Sequence, residues 1–264
     1  MHPAATVASF GYHEVTDDPQ ESGFQRPSAE PYKLTRLAFA RHLDQLDGGP
    51  LVPELVVDID PGRPGRHLLL TFDDGGKSAL YIGEELCRRG WRGHFFIVTG
   101  LIGSRPFLDA AAIRQLRGAG HVIGTHSHTH PGPFREQAFG HMVEEWRVSR
   151  DRLCQLLGEP CTTASVPGGD VSRLVFASAA CAGLRYLFTS EPTLRPQRVG
   201  ACWILGRFIP KAGTSPARVG DLARLRGWRS ALLARHIKGA LRAMAPGAYR
   251  TYVRLRTGEP VSGR

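Results

Sequence analysis

The sequence lacks any hydrophobic run of the roughly 18 residues that a membrane-spanning helix needs. Its first residues have neither the basic segment nor the apolar segment of a secretory leader. It has five cysteines, an odd number with no C-x-x-C pair among them, so we expect reduced thiols rather than a disulfide framework. Together these absences predict a cytoplasmic globular protein.

Acidic residues are missing from residues 222–258, which hold nine of the 34 lysines and arginines. The net charge of +10 therefore belongs mostly to this C-terminal part, and no nucleic-acid motif accompanies it, so no nucleic-acid partner is predicted. Apolar residues recur there at helical spacing, which predicts an amphipathic helix with a cationic face. The helix either packs on the rest of the protein or makes peripheral contact with an anionic membrane. The apolar positions are Leu225, Leu232, Leu233, Ile237, Leu241 and Met244.

The apolar residues 68–72 form a segment of strand length that ends in two adjacent carboxylates, Asp73 and Asp74. Neighbouring side chains on a strand point to opposite faces, so both carboxylates share one site only if the strand ends there. Gly75 and Gly76 follow and permit the sharp turn that this requires. Acidic side chains at the carboxyl end of a buried parallel strand lie where α/β folds place their active sites.

A second apolar segment runs into His126, His128 and His130. Imidazole is the commonest zinc ligand, and the spacing of His126 and His130 lets both rings point at one position. Two imidazoles and one carboxylate of the Asp pair would leave coordination positions open for water and substrate. Strands and helices alternate along most of the chain, which predicts a parallel, barrel-like sheet.

The sequence Thr-Phe-Asp-Asp-Gly at residues 71–75, followed by His-Ser-x-x-His-Pro at residues 126–131, resembles two motifs of the polysaccharide deacetylases. This is the NodB-homology or carbohydrate esterase 4 family. The resemblance implies a distorted, seven-stranded (β/α) barrel over residues 1–212, and we expect residues 213–264 to be a basic helical extension. It also implies Asp73 as catalytic base and Asp74, His126 and His130 as ligands of a divalent metal, with zinc the expected ion.

The third family motif, Arg-x-Pro-x-Gly, is altered here to Ser-Val-Pro-Gly-Gly at residues 165–169. The proline and the last glycine match, but Ser165 replaces the arginine that orients the catalytic aspartate in the family. Arg207, at the end of the last predicted strand, is a candidate replacement, and a surface arginine is an equally good interpretation. The family pattern further implies that the backbone N–H of Gly168 points at the developing oxyanion.

The family's Leu-x-His motif, which supplies the general acid, is absent from the C-terminal part. The first predicted strand instead ends in Tyr12-His13. This resembles a branch of the family, including poly-N-acetylglucosamine deacetylases, in which the motif order is circularly shifted and this dipeptide supplies the acid. His13 is therefore the candidate acid. The loop at residues 16–33, with Phe24 and Tyr32, is a candidate wall of the cleft.

The combined prediction is a metal-dependent hydrolase that removes N-acetyl groups from a sugar, a polysaccharide or a lipid-linked saccharide. Two alternatives stay open. One is a sugar-binding protein that has kept the barrel and lost turnover, which the altered third motif and the absent acid motif favour. The other is a related hydrolase of a different carbon–nitrogen amide bond.

Overall fold

A computed structural model describes residues 5–169 and 171–244, with side chains up to residue 237. Within these ranges a curved parallel sheet is surrounded by helices. The strands are β1 (Thr6–Tyr12), β2 (Glu14–Val15), β3 (Lys33–Leu34), β4 (Pro53–Glu54), β5 (Arg66–Phe72), β6 (His94–Ile97), β7 (Val122–Thr125), β8 (Thr163–Ser165), β9 (Tyr186–Phe188), β10 (Gln197–Val199) and β11 (Cys202–Leu205). The helices are α1 (Arg36–Asp47), α2 (Ala79–Arg88), α3 (Ala110–Gly118), α4 (Phe139–Leu157), α5 (Arg173–Cys181), α6 (Pro216–Ala223) and α7 (Trp228–Met244).

Seven parallel strands form the barrel in the order β1-β5-β6-β7-β8-β9-β11. A parallel bridge between Phe10 and Phe208 closes the sheet, because Phe208 follows β11 and lies beside β1. The backbone N–H of Phe208 donates to Ser9 O at 2.9 Å, and that of Gly11 donates to Phe208 O at 2.9 Å. The predicted seven-stranded distorted barrel is confirmed, and its closure brings the end of β1 next to the segment after β11.

The local sequence signals place the helices as expected. The side chains of Thr35, Asp109 and Ser172 each accept a hydrogen bond from the backbone N–H three residues later, which satisfies a free donor at the start of α1, α3 and α5. Helix α4 ends at Gly158, whose φ of 70° is the left-handed conformation that glycine adopts without strain. The five cysteines are all free.

The start of the predicted C-terminal extension belongs to the barrel core. Helix α6 packs on α1, and Val219, Leu222 and Trp228 are buried in the same apolar cluster as Phe10. The Trp228 ring lies 6.1 Å from the Phe10 ring in an edge-to-face arrangement. Residues 216–231 thus contribute to the packing around β1, and the boundary at residue 212 stays a prediction.

Only part of the predicted apolar stripe of α7 is covered. Leu233 is 60% exposed and Ile237 is 52% exposed, whereas Leu232 is half-buried. The side chains of Leu241 and Met244 lie outside the described residues. No helix within residues 5–169 and 171–244 has the length and hydropathy to cross a membrane.

Candidate active site

The two predicted motifs meet at the carboxyl ends of β5 and β7. Asp74, His126 and His130 each offer one ligand atom, and these atoms all lie within 4.8 Å of one another. Nε2 of His126 is 3.4 Å from Asp74 Oδ1, and Nε2 of His130 is 3.9 Å from the same oxygen. The three side chains are almost fully buried. The predicted ligand set therefore converges without any rearrangement of the backbone.

The backbone around this cluster is held in an unusual conformation. Asp74, Ser127 and His130 have φ values of 73°, 66° and 53°, which residues other than glycine rarely adopt. Such conformations cost free energy and persist where the surrounding structure enforces them, typically at functional sites. Backbone strain at three positions of one cluster indicates that the surrounding fold enforces the directions of the Asp74 and His130 side chains.

Glu145 on α4 is the main support of the histidine loop. Its buried carboxylate accepts the backbone N–H groups of His128 and Thr129 at 2.9 and 2.8 Å, and the Thr129 hydroxyl at 2.8 Å. Glu145 lies outside the sequence motifs that point to the site. A signal existed, because Glu145 lies between Met142 and Trp146 on the buried face of an amphipathic helix, where an acid is rare unless it is hydrogen-bonded.

The donor set suits a divalent cation. Nδ1 of His126 is 3.0 Å from the carbonyl oxygen of Ser165, so a proton there leaves the Nε2 lone pair facing Asp74. Burial lowers the pKa of His130 to about 4, so that ring is neutral, as a ligand must be. For His126, burial lowers the pKa, but the carboxylates of Asp73 and Asp74 outweigh it and the pKa is raised. The two carboxylates thus favour positive charge next to His126.

Asp73 is held mainly by Arg207, which lies outside the third motif. Nη1 and Nη2 of Arg207 donate to the two carboxylate oxygens of Asp73 at 2.8 and 2.9 Å, and the guanidinium is fully buried. The Ser165 hydroxyl donates to Asp73 Oδ1 at 2.9 Å. Burial alone would raise the pKa of Asp73, but Arg207 and His126 outweigh it and hold the pKa far below its usual range. Ser165, which replaces the expected arginine, therefore still contacts the carboxylate that the arginine would orient.

His13 lies at the same rim as the cluster because β1 pairs with β5 in parallel register. The charges of Asp74, Asp73 and Arg207 all act on its imidazole. Burial is the largest effect and lowers the pKa of His13. Its Nδ1 is buried without a hydrogen-bond partner among the described residues. This ring nitrogen is therefore held by no other described group.

The loop at residues 16–33 contributes aromatic rings to the site, as predicted from the sequence. The Phe24 ring lies 4.9 Å from the His130 ring, and the Tyr32 ring lies 4.8 Å from the His13 ring. Both aromatic side chains are half-buried. Each of the two aromatic rings therefore packs against one imidazole of the site.

Gly168 is exposed and has a φ of 65°. No atom lies within 4 Å of the position that its Cβ would occupy, so the space above it is open. The next residue is tied down, because Nη2 of Arg235 on α7 donates to the carbonyl oxygen of Gly169 at 2.7 Å. The turn at Gly168 and Gly169, predicted to carry an oxyanion donor, is thus open at Gly168 and anchored at Gly169 by helix α7.

Comparison with known proteins agrees with this geometry. Residues 60–187 match the family model for polysaccharide deacetylase. The chain is 24% identical over 155 residues to peptidoglycan-N-acetylglucosamine deacetylase PgdA of Listeria monocytogenes, an alignment that covers 58% of this chain and 31% of that protein. The chain thus spans about a third of the length of the curated relatives that it matches.

Solved structures share the fold. BC0361, a polysaccharide deacetylase from Bacillus cereus, superposes with a TM-score of 0.68 at 16% identity, over 83% of this chain and 69% of that one. IcaB from Ammonifex degensii superposes with a TM-score of 0.66 at 19% identity, over 84% and 98%. Residues 60–187, which match the polysaccharide deacetylase model, carry the Asp-Asp motif, the histidine motif and the altered third motif, so this part of the chain is similar to the polysaccharide deacetylases.

Proposed function

We propose that the protein is a metal-dependent hydrolase that removes the acetyl group from an N-acetylated sugar, in a polymer or on a lipid carrier. The observation that carries this proposal is the site itself. An ionised Asp73, fixed by Arg207 and Ser165, adjoins a cluster of one carboxylate and two imidazoles. A site for a metal, a fixed base and a nearby free imidazole are the groups that amide hydrolysis requires.

Asp74, His126 and His130 would hold the divalent cation, which we propose to be zinc. When bound, the ion supplies Lewis-acid activation of water and of the acetyl carbonyl. The residues around it prepare the site for this ion. Ser165 O fixes the Nδ1 proton of His126, and Glu145 holds the loop that carries His130.

Asp73 would accept the proton of the attacking water at Oδ2. Oδ1 already accepts two hydrogen bonds, from Ser165 and Arg207, whereas Oδ2 accepts one, from Arg207. A carboxylate oxygen has two lone pairs, so Oδ2 keeps one for the proton. The depressed pKa of Asp73 keeps the group ionised at all physiological pH values, and Arg207 fixes the direction in which it accepts.

His13 would donate a proton to the departing sugar nitrogen, which is a poor leaving group as an amide anion. Its unpartnered Nδ1 and the nearby carboxylates support this role. A histidine supplied by the first strand is also the feature of the circularly shifted branch, to which we propose this chain is most similar. Gly168 N–H would donate to the oxyanion of the tetrahedral intermediate.

The test combines metal analysis with an activity assay. The full chain would be purified, its zinc, cobalt and nickel content measured, and acetate release followed with N-acetylglucosamine oligosaccharides before and after chelation. The proposal expects about one metal per chain and acetate release that chelation abolishes and zinc restores. Metal retention without acetate release from any N-acetylated saccharide would instead favour a sugar-binding protein that has lost turnover.

We also propose that α7 contacts an anionic membrane peripherally, at the cytoplasmic face. The exposed Leu233 and Ile237, together with a C-terminal region without acids, support this location. Co-sedimentation with anionic vesicles would compare the full chain with Leu233→Ser/Ile237→Ser. Binding that salt weakens and the double variant loses is expected. Equal, negligible binding by both proteins would contradict it.

A further inference from the structure

Two cations flank the site, and each lies against an aromatic ring that also contacts a site imidazole. The guanidinium of Arg26 is 4.5 Å from the centre of the Phe24 ring, which contacts His130. The ammonium of Lys211 is 4.9 Å from the centre of the Tyr32 ring, which contacts His13. The same arrangement of imidazole, aromatic ring and cation therefore occurs twice. On the metal side it is His130, Phe24 and Arg26, and on the acid side it is His13, Tyr32 and Lys211.

Neither cation has an acidic partner within residues 5–169 and 171–237. Among the residues that the structure describes, Arg26 and Lys211 form no ion pair and donate no side-chain hydrogen bond, whereas Arg235 on the same rim is paired with Glu191. Arg26 is exposed and Lys211 is half-buried, so both can reach a ligand in the cleft. The aromatic rings hold the cations near the site, because a cation over a ring face is attracted by the ring quadrupole.

We propose that the cleft selects an acetamido sugar that carries an anionic group, and that Lys211 and Arg26 bind this group. This inference rests on the proposed deacetylation. A neutral saccharide is bound through aromatic faces and hydrogen bonds, and two unpaired cations add to its affinity very little. An anion near the sugar ring would gain a charge-assisted hydrogen bond from each cation.

The position of the proton donor orients the substrate. The leaving nitrogen belongs to the sugar, so the sugar ring lies on the side of His13, and the acetyl group lies toward Asp74 and the two histidine ligands. Substituents of the sugar ring are then nearest Tyr32 and Lys211. Lys211 is the primary contact for the anionic group, and Arg26, on the metal side, is the secondary one.

The test measures binding rather than turnover alone, so that it does not depend on catalysis. Calorimetry on the full chain would compare neutral N-acetylglucosamine, its 1-phosphate, and its lactyl-ether carboxylate, with inorganic phosphate as a fourth ligand. At low salt the preferred charged sugar is expected to bind ~10-fold more tightly than the neutral one, as two solvent-screened ion contacts allow. Preference for the phosphate indicates a sugar attached through phosphate, and preference for the carboxylate indicates an acidic polymer.

Substitutions test whether the two cations cause the preference for the charged sugar. Lys211→Ala should remove most of it, Arg26→Ala less, and the double variant nearly all of it. Arg36→Ala is the matched control, because the Arg36 guanidinium is also 4.5 Å from an aromatic ring, that of Tyr81, which contacts no imidazole among the described residues. This variant should keep the full preference, and thermal unfolding would verify that all four proteins are folded.

Equal affinity for charged and neutral sugars would overturn the inference, as would an unchanged preference in the double variant. Binding of inorganic phosphate as tight as that of the sugar phosphate would also overturn it, since the cations would then retain any anion. A different result would contradict the proposed deacetylation. A protein with the expected charge preference but no acetate release would contradict the reaction and leave the anion site in place.

Discussion

The site has two halves that the chain builds in different ways. The metal half consists of the proposed ligands Asp74, His126 and His130, which all lie within the matched residues 60–187 and come from the ends of β5 and β7. The proton half depends on His13 and Arg207, which lie outside that range at the two ends of the barrel sequence. In this chain the arginine missing from the third motif is replaced by Arg207, which comes from the segment that closes the barrel.

The largest effect is expected in the metal half. His130→Ala removes one of three ligands, so metal retention and acetate release should both be lost. Asp73→Asn should retain the metal and lose turnover, because the amide cannot accept the water proton. Metal content after dialysis, measured beside acetate release, distinguishes the two. A His130→Ala protein with one tightly bound metal would show that the halves are not divided as described.

Within the proton half, His13→Ala should lower turnover by ~10²–10⁴-fold, the usual contribution of a general acid. Metal content and the unfolding temperature should stay close to those of the unaltered protein. His128→Ala is a suitable control, since this ring contacts Thr99 outside the cluster at 3.0 Å. Full activity of the His13→Ala protein would exclude His13 as the general acid.

Arg207→Lys should lower turnover by ~10–100-fold with the metal retained, because lysine keeps the charge but cannot hold both oxygens of Asp73. Arg207→Ala should also cost about 3–5 kcal/mol in the free energy of unfolding, since it leaves a buried carboxylate unpaired. Chemical denaturation and kinetics on the same samples measure both. The exposed Arg198 provides the control, and Arg198→Ala should change neither quantity.

The smallest effect concerns Glu14, which follows His13 and accepts a hydrogen bond from Ser78 at 2.6 Å. Burial raises the pKa of Glu14 to about 7. The folded state therefore binds this proton more tightly than the unfolded state, and the resulting stability is lost as the pH rises from about 4.5 to about 7. Glu14→Gln should flatten this part of the profile of unfolding temperature against pH. An unchanged profile would show that Glu14 does not titrate there.

The convergence of Asp74, His126 and His130 was predictable because these residues lie in short motifs directly after strands, and a parallel sheet brings such ends together. Arg207 could be named only as a candidate, since its partner Asp73 is 134 residues away in sequence and no local pattern links them. Glu145 was missed for a related reason. An acid on a long helix is usually solvent-exposed, and only the three-dimensional structure shows that it meets the histidine loop.

The C-terminal region shows a second limit. An amphipathic pattern records that one face of a helix is apolar, and it does not record what that face contacts. In the structure Trp228 packs against Phe10 in the barrel core, whereas Leu233 and Ile237 of the same helix are exposed. The sequence therefore predicted the helix and its stripe, but could not assign each part of the stripe to core or surface.

The bridge between Phe10 and Phe208 has a consequence for the order in which the protein is completed. During synthesis the metal ligands leave the ribosome together with β5, β6 and β7, whose contacts are local. Arg207 emerges much later, and the loop that it closes back to β1 spans most of the described chain, so this step is entropically the most demanding. A nascent chain that ends before residue 207 would carry all three proposed ligands without the arginine that aligns Asp73, and the proposed reaction would require the barrel to close first.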